Sequence, residues 1–298
     1  MQKLTVIGSI NMDLVARVDR FPKPGETLTG TSFTTVPGGK GANQAVTLAR
    51  LGANVAMVGR VGEDAFGDTY LRSFEKDGVD TTYVGRGASP TGIAMIEVDA
   101  SGENNIVVVP GANRDITPEW LESMPDTLFG GIVLMQLEIP MESVLFAARR
   151  IARLGGTLVL DPAPMQPMPD ELLELAAILT PNEHELTALT ADIDAPFQER
   201  MRELARKGAR CVLHKRGAHG AYLLREGTIL HMPPVKVEAV DTTGAGDAFN
   251  AALAYALAKG KTMEEAMETA CRIAALSVTY VGGQGLPSLV GADDAPGL

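Results

Sequence analysis

Residues 132–160 read IVLMQLEIPMESVLFAARRIARLGGTLVL. The stretch opens on four apolar residues, Ile132-Val133-Leu134-Met135, and closes on three more, Leu158-Val159-Leu160. Between them Met141 to Leu154 carries helix-forming residues and stops at Gly155, the usual residue just past a helix end. Short, uninterrupted apolar strands on either side of a helix predict parallel strands buried on both faces. The same alternation runs outward in both directions. Leu4-Thr5-Val6-Ile7, Val55-Ala56-Met57-Val58 and Val212-Leu213 supply further strands. Helical stretches run from Ala42 to Leu51 before Gly52, from Phe66 to Lys76 before Gly78, and from Gln198 to Lys207 before Gly208. Thr117-Pro118-Glu119 opens another, with Thr as cap and Pro in the first turn. The fold class expected is α/β: a Rossmann-like three-layer α/β/α sandwich around a mostly parallel sheet.

Two stretches break the rhythm. Asp13 to Val36 and Gly92 to Val109 contain no convincing helix, and GIAMIEVDASGENNIVVV at 92–109 reads as a hairpin turning at Ala100-Ser101-Gly102. Paired, they would form a small sheet with one apolar face that needs cover from a ligand, a partner or a second subunit. The expectation is one domain over 1–298 with a discontinuous β lid from 13–37 and 91–112. The tail from Gly291 to Leu298, rich in Gly, Ala, Pro and Asp, is expected to fray.

Bulk composition narrows the function. With 298 residues, 45% hydrophobic and 21% charged, the chain can bury a full core. A net charge of −11 repels nucleic-acid backbones and anionic membranes, so an anionic substrate needs a local positive site. The longest apolar run in the small-residue helix, Ala251 to Ala258, is too short to span a bilayer, and no export signal is visible. The two cysteines, Cys211 and Cys271, show no metal or disulfide pattern and read as packed, reduced thiols, which points to the cytoplasm.

Two glycine loops carry chemistry. Asp241-Thr242-Thr243-Gly244-Ala245-Gly246-Asp247-Ala248-Phe249 runs into a small-residue helix, where backbone amides and the positive end of the helix dipole suit an anion. Asp247 is the wrong charge for holding phosphate. It is either a helix-capping carboxylate or a base beside an anion hole. Pro37-Gly38-Gly39-Lys40-Gly41-Ala42-Asn43-Gln44 also runs a glycine loop into a helix, but lacks the Ser or Thr and the spacing of a Walker A loop. The histidines, His184, His214, His219 and His231, have no metal-ligand spacing, and Trp120 and the methionines read as packing.

Taken together, PGGKGAN at 37–43 and DTTGAGD at 241–247 resemble the two signatures of the ribokinase family of carbohydrate kinases. Agreement continues in order from residue 4 to about residue 288, through GSINMD at 8–13, Gln136-Leu137-Glu138, Pro181-Asn182-Glu183-His184-Glu185 and Lys215-Arg216-Gly217-Ala218-His219-Gly220. The resemblance implies ATP-dependent phosphorylation of D-ribose at its 5-hydroxyl. Asp247 would be the catalytic base, and the amides of Gly244, Ala245 and Gly246 would hold the transferring phosphoryl group. Asn11, Asp13, Gly39, Lys40, Asn43 and Glu138 match sugar-contacting positions. Asn182 and Glu185 match a support for Mg2+-bound phosphate. The loop Lys215, Arg216, Gly217, Ala218, His219 and Gly220 matches the one near the α- and β-phosphates, with Gly246 and Cys271 also on the nucleotide side. Asp241, Thr243, Ser277, Tyr280 and Gly282 match a monovalent cation site that takes K+. A homodimer through paired lids is also implied. Cys271 departs from an Asn often found there, and Gly282-Gly283-Gln284-Gly285-Leu286-Pro287-Ser288 departs from the usual Gly-Ala-Gln-Pro-Ser loop. Phosphorylation of another sugar or nucleoside (deoxyribose, fructose, a keto-sugar acid, adenosine) and a non-catalytic sugar-binding regulator remain as alternatives.

Overall fold

The computed structural model describes residues 2–191 and 193–290, so the tail from Gly291 onward lies outside the described residues. The first third runs β1 (Leu4–Ile7), β2 (Asn11–Arg17), β3 (Ser32–Gly38), α1 (Lys40–Arg50), β4 (Val55–Val61), α2 (Ala65–Asp77), β5 (Asp80–Arg86), β6 (Gly92–Val98) and β7 (Asn104–Val109). Next come α3 (Pro118–Glu122), β8 (Ile132–Met135), α4 (Met141–Arg153), β9 (Thr157–Leu160), α5 (Asp170–Leu175), β10 (Ile178–Leu179), α6 (Glu183–Leu189) and α7 (Phe197–Arg206). The chain finishes with β11 (Cys211–Lys215), β12 (Ala221–Arg225), β13 (Thr228–Met232), α8 (Ala245–Ala258) and α9 (Met263–Ser277).

Among the described residues the main sheet has nine strands, ordered β13-β12-β11-β10-β9-β8-β1-β4-β5. All run parallel except the β12 and β13 edge. Side chains alternate across it, as the pleat requires. Ile132 and Leu134 join the core with α1, α8 and α9, whereas Val133 and Met135 join the core with α4, α5 and α7. Helices therefore cover both faces, and the three-layer α/β expectation is met. The four glycines expected to end helices, Gly52, Gly78, Gly155 and Gly208, all have positive φ. The Thr117 hydroxyl caps α3 by accepting from the Trp120 amide at 3.2 Å.

Four strands of the main sheet were not anticipated, among them β12, although its Ala221-Tyr222-Leu223-Leu224 is an apolar run. β5 and β13 are the two edges, where only part of the strand is covered and polar residues are tolerated. β10 is two residues long and has no period to detect.

The chain moves from β1 to β4 on one side of the sheet and from β8 through α4 to β9 on the other. A crevice therefore opens at the carboxyl ends of β1 and β8, where an open α/β sheet places its ligand. A separate four-stranded sheet, β3-β2-β6-β7, is built from the two helix-free stretches. β6 and β7 form the expected hairpin, with the Asp99 carboxylate accepting from the amides of Ser101 and Glu103 in its turn. Phe33, Met95, Ile106, Val107, Val108 and Val109 remain exposed on it.

The start of α1 is pressed against the turn after β1. A Cβ on Gly41 would lie 2.7 Å from the Gly8 carbonyl carbon and 2.7 Å from the Ser9 nitrogen, both backbone atoms. Gly41→Ala is expected to destabilise the protein by about 1–3 kcal/mol, as overpacking does. Urea unfolding should show a lower midpoint with an unchanged slope. An unchanged midpoint would mean that α1 can back away without loss.

Candidate active site

Three glycines let backbone meet backbone at the crevice. Gly39 precedes α1 with φ of 89°, and a Cβ there would fall 2.7 Å from the Asn11 amide nitrogen. The first amide of α1, from Lys40, donates to Glu138 Oε2 at 3.2 Å. The Ser9 hydroxyl donates to the same oxygen and accepts from the Gly41 amide at 3.3 Å. Glu138, just past β8, thus neutralises the positive end of α1. That contact holds its carboxylate at the crevice rim.

Gly244 opens α8 in the left-handed region, with φ of 74°. A Cβ on it would lie 2.6 Å from the Gly283 Cα, so the start of α8 packs closely on the loop at 282–285. Asp247 in the first turn is 5% exposed. Its Oδ2 accepts from Asn43 Nδ2 at 3.0 Å and its Oδ1 from Gln44 Nε2 at 3.1 Å. Asn43 Oδ1 in turn accepts from Gln284 Nε2 at 3.1 Å. The two signature loops, far apart in the chain, are therefore bonded through side chains.

Charge is concentrated here. Asp161, buried after β9, accepts from Lys215 Nζ at 2.9 Å. The same ammonium lies 3.3 Å from where a Cβ on Gly246 would be, so it faces the glycine nest. Burial raises the Asp247 pKa and Asp161 adds to the rise, against the opposing pull of Lys40, Asn43 and Gln44. For Lys40, burial acts downward, but Asp247, Asp161, Glu138 and Glu185 outweigh it and hold the ammonium protonated. Burial, with repulsion from Glu138 and Asp247, raises Asp13 to about 7. Asn11 is buried and accepts from Asn113 Nδ2 at 2.7 Å.

The nucleotide-side residues separate. Lys215 is the last residue of β11, whereas Arg216 has left the strand with ψ of 31°, and their side chains diverge. Arg216 binds Glu183 at 2.7 Å and lies over the Phe197 ring at 4.4 Å, away from the nest. Asn182 and Glu185 form a capping box on α6: Asn182 Oδ1 accepts from the Glu185 amide, and the Glu185 carboxylate accepts from the Asn182 amide and side chain. Burial and Asp161 raise the Glu185 pKa, with Lys215 opposing. Gly217–His219 is a single tight turn, followed by Gly220 with φ of 79°. Cys271, on α9, is buried in the core, and burial pushes its thiol up to about 11.

The Asp241 carboxylate accepts from the Thr243 amide at 2.9 Å and the Gly282 amide at 2.8 Å. Burial acts to raise its pKa, but these bonds prevail and hold it below the usual range. The Ser277 carbonyl accepts from the Tyr280 amide, and the Gly282 carbonyl from the Gly285 amide. Among the described residues no group of three or more His, Cys, Asp and Glu side chains is placed to hold a metal ion.

Sequence reading assigned no role to Asp161, Gln44 or Gln136. Asp161 follows an apolar strand and precedes Pro162, the position at which a parallel sheet exposes functional side chains. That was its only signal.

A base beside an amide nest, with ammonium groups on both sides, is suited to phosphoryl transfer onto a hydroxyl, which needs positioning and charge stabilisation more than covalent chemistry. The sequence profile of the pfkB family carbohydrate kinases matches residues 1–289, and the chain belongs to that family. The ribokinase of Bacillus subtilis (strain 168) is 45% identical over 287 residues, covering 96% of each chain. Of solved structures, ribokinase from Thermotoga maritima matches with a TM-score of 0.90 at 39% identity over 97% of both chains. Arabidopsis thaliana ribokinase complexed with ribose and ATP matches with a TM-score of 0.86 at 34% identity over 96% of both.

The raised Asp13 makes stability depend on pH. Between an unfolded value of about 3.9 and the folded value of about 7, the folded chain keeps a proton that the unfolded chain has released. Its contribution is full below the unfolded value and is lost as pH rises through the folded one. Asp13→Asn, neutral throughout, should be more stable than the wild type at pH 8 by about 2–4 kcal/mol in urea unfolding. The gap should close below about pH 4. A gap independent of pH would remove Asp13 as its source.

Proposed function

We propose that the protein transfers the γ-phosphate of ATP to the 5-hydroxyl of D-ribose, giving ribose 5-phosphate and ADP, as one kinase domain with the small sheet as its lid. The observation that carries this reading is the buried Asp247, held at the mouth of the glycine nest by Asn43 and Gln44 and flanked by Lys215. Asn11, Asp13, Gly39, Lys40, Asn43 and Glu138 form the sugar side, since carboxylates and amides answer hydroxyls that both donate and accept. Asp247 removes the hydroxyl proton as the sugar oxygen bonds to phosphorus. The bond from the γ-phosphorus to the bridging oxygen breaks, and ADP leaves with its electron pair. The amides of Gly244, Ala245 and Gly246, with Lys215, take up the charge on the transferring group.

Mg2+ bound with ATP would neutralise charge on the phosphate oxygens. Asn182, Glu185 and Asp161 offer an all-oxygen set that suits this hard cation through water. The loop joined by Asp241 to Thr243 and Gly282, with the carbonyls of Ser277, Tyr280 and Gly282, suits a monovalent cation such as K+, which would stiffen the nest. His219, Gly217, Ala218 and Gly220 would border the nucleotide, and Cys271 its adenosine end. Among the described residues no helix is long and apolar enough to cross a membrane. That and two buried free thiols support placement in the cytoplasm.

ADP release measured over ribose, deoxyribose, fructose, a keto-sugar acid and adenosine should be led by ribose; another leader replaces the substrate. With saturating ribose, Asp247→Asn should lower turnover by roughly 10²–10⁴, and near-normal turnover would refute the base. Rates in tetramethylammonium buffer with KCl, NaCl or CsCl at fixed ionic strength should be highest with K+, while identical rates would remove the cation site. The exposed Ile106 and Val108 on the lid support pairing of two lids. Sedimentation velocity should show a dimer that Val108→Asp weakens, and a wild-type monomer at micromolar concentration would exclude it.

A further inference from the structure

Behind Asp247 lies a second amide. Gln44, whose Nε2 donates to Asp247 Oδ1, receives on its own Oε1 a hydrogen bond of 2.7 Å from Gln136 Nε2. Gln136, immediately after β8, is fully buried, and its Oε1 has no hydrogen-bond partner. That oxygen lies against Gly8, where a Cβ would come within 2.1 Å of it. An orphaned buried acceptor costs about 1–3 kcal/mol, and a Met of the same length would not incur it.

The direction of this chain of amides is dictated from one end. An ionised carboxylate only accepts, so Gln44 must turn its NH2 toward Asp247 and its oxygen away. Gln136 must then donate. Reversing Gln136 alone sets two amide oxygens face to face; reversing both sets the Gln44 oxygen against Asp247. We propose that Gln136 is a positioning residue for Asp247, acting through Gln44 to keep a donor facing the carboxylate. This rests on Asp247 being the base. The orphaned oxygen at Gly8 is the cost of that directed arrangement, and Gly8 supplies the room for it.

The charged groups around Asp247 are Lys40 on α1, Asp13 on β2, Asp161 after β9 and Lys215 at the end of β11, with Glu138 and Glu185 acting on Lys40. Changes at Gln136 leave all of them in place. Without its orienting donor, the Gln44 amide can turn its oxygen to Asp247, which disfavours the ionised base.

The test is the pH dependence of kcat, with Mg·ATP and ribose saturating, for folded variants checked by thermal unfolding. Gln136→Met should move the acid limb upward by about one pH unit, with the KM for ribose changed less than about threefold. Gln44→Met should show a shift of its own, and Gln44→Met/Gln136→Met should match Gln44→Met within about twofold in kcat, since residues acting in series are not additive. An acid limb at the wild-type pH in Gln136→Met overturns the proposal, as do effects that multiply in the double variant. If Asp247→Asn is inactive while the limbs stay put, this inference alone falls. If Asp247→Asn keeps its turnover, the base and its positioning residue fall together.

Discussion

The bonds from Asn43 and Gln44 to Asp247 join the first helix of the main domain to the helix that follows the second glycine loop, across more than 200 residues of chain. Burying a carboxylate is costly unless donors surround it. Here both oxygens are met by side-chain amides that stem from one turn of α1. For those amides to arrive, α1 must press on the turn after β1, which only glycine at 39 and 41 allows. For Asp247 to arrive, α8 must begin at a left-handed Gly244 packed on Gly283. The glycine loops are thus constraints on packing before they are binding elements.

The same contact organises the electrostatics of an acidic protein. Asp13, Glu138, Asp161, Glu185 and Asp247 converge on a crevice with two ammonium groups, Lys40 and Lys215. The carboxylates hold Lys40 charged, and Lys215 is held at the nest by Asp161. Lys215 thus places a positive group at the glycine nest of a chain whose net charge is −11. The field that repels polyanions elsewhere does not reach the nest unopposed.

Much of the fold was legible because its signals are local. The apolar runs at Leu4–Ile7 and Ile132–Met135, the helix between Met141 and Gly155, and the four stop glycines each depend on a few neighbouring residues. The edge strands β5 and β13 were not legible, since a strand covered in part needs no continuous apolar run. Among the charged candidates, the end of β11 decided what composition could not: Lys215, its last residue, faces the nest, and Arg216, just beyond it, goes to Glu183 and Phe197.

By itself the sequence determined the α/β class, the helix ends, the helix-free pieces of the small sheet and the identity of the two glycine loops with Asp247 between nest and helix. These follow from periodicity, from the positive φ that glycine alone adopts freely, and from charge placed at a helix start. Only the tertiary structure decided who meets whom: that Asp161 holds Lys215, that Glu138 caps α1, and that Gln136 stands behind Gln44. Those pairings join segments brought together by crossovers of the sheet or set the fine geometry of a cap. Contacts of that kind depend on how far and in which direction the intervening helices carry the chain, which no short stretch of residues records.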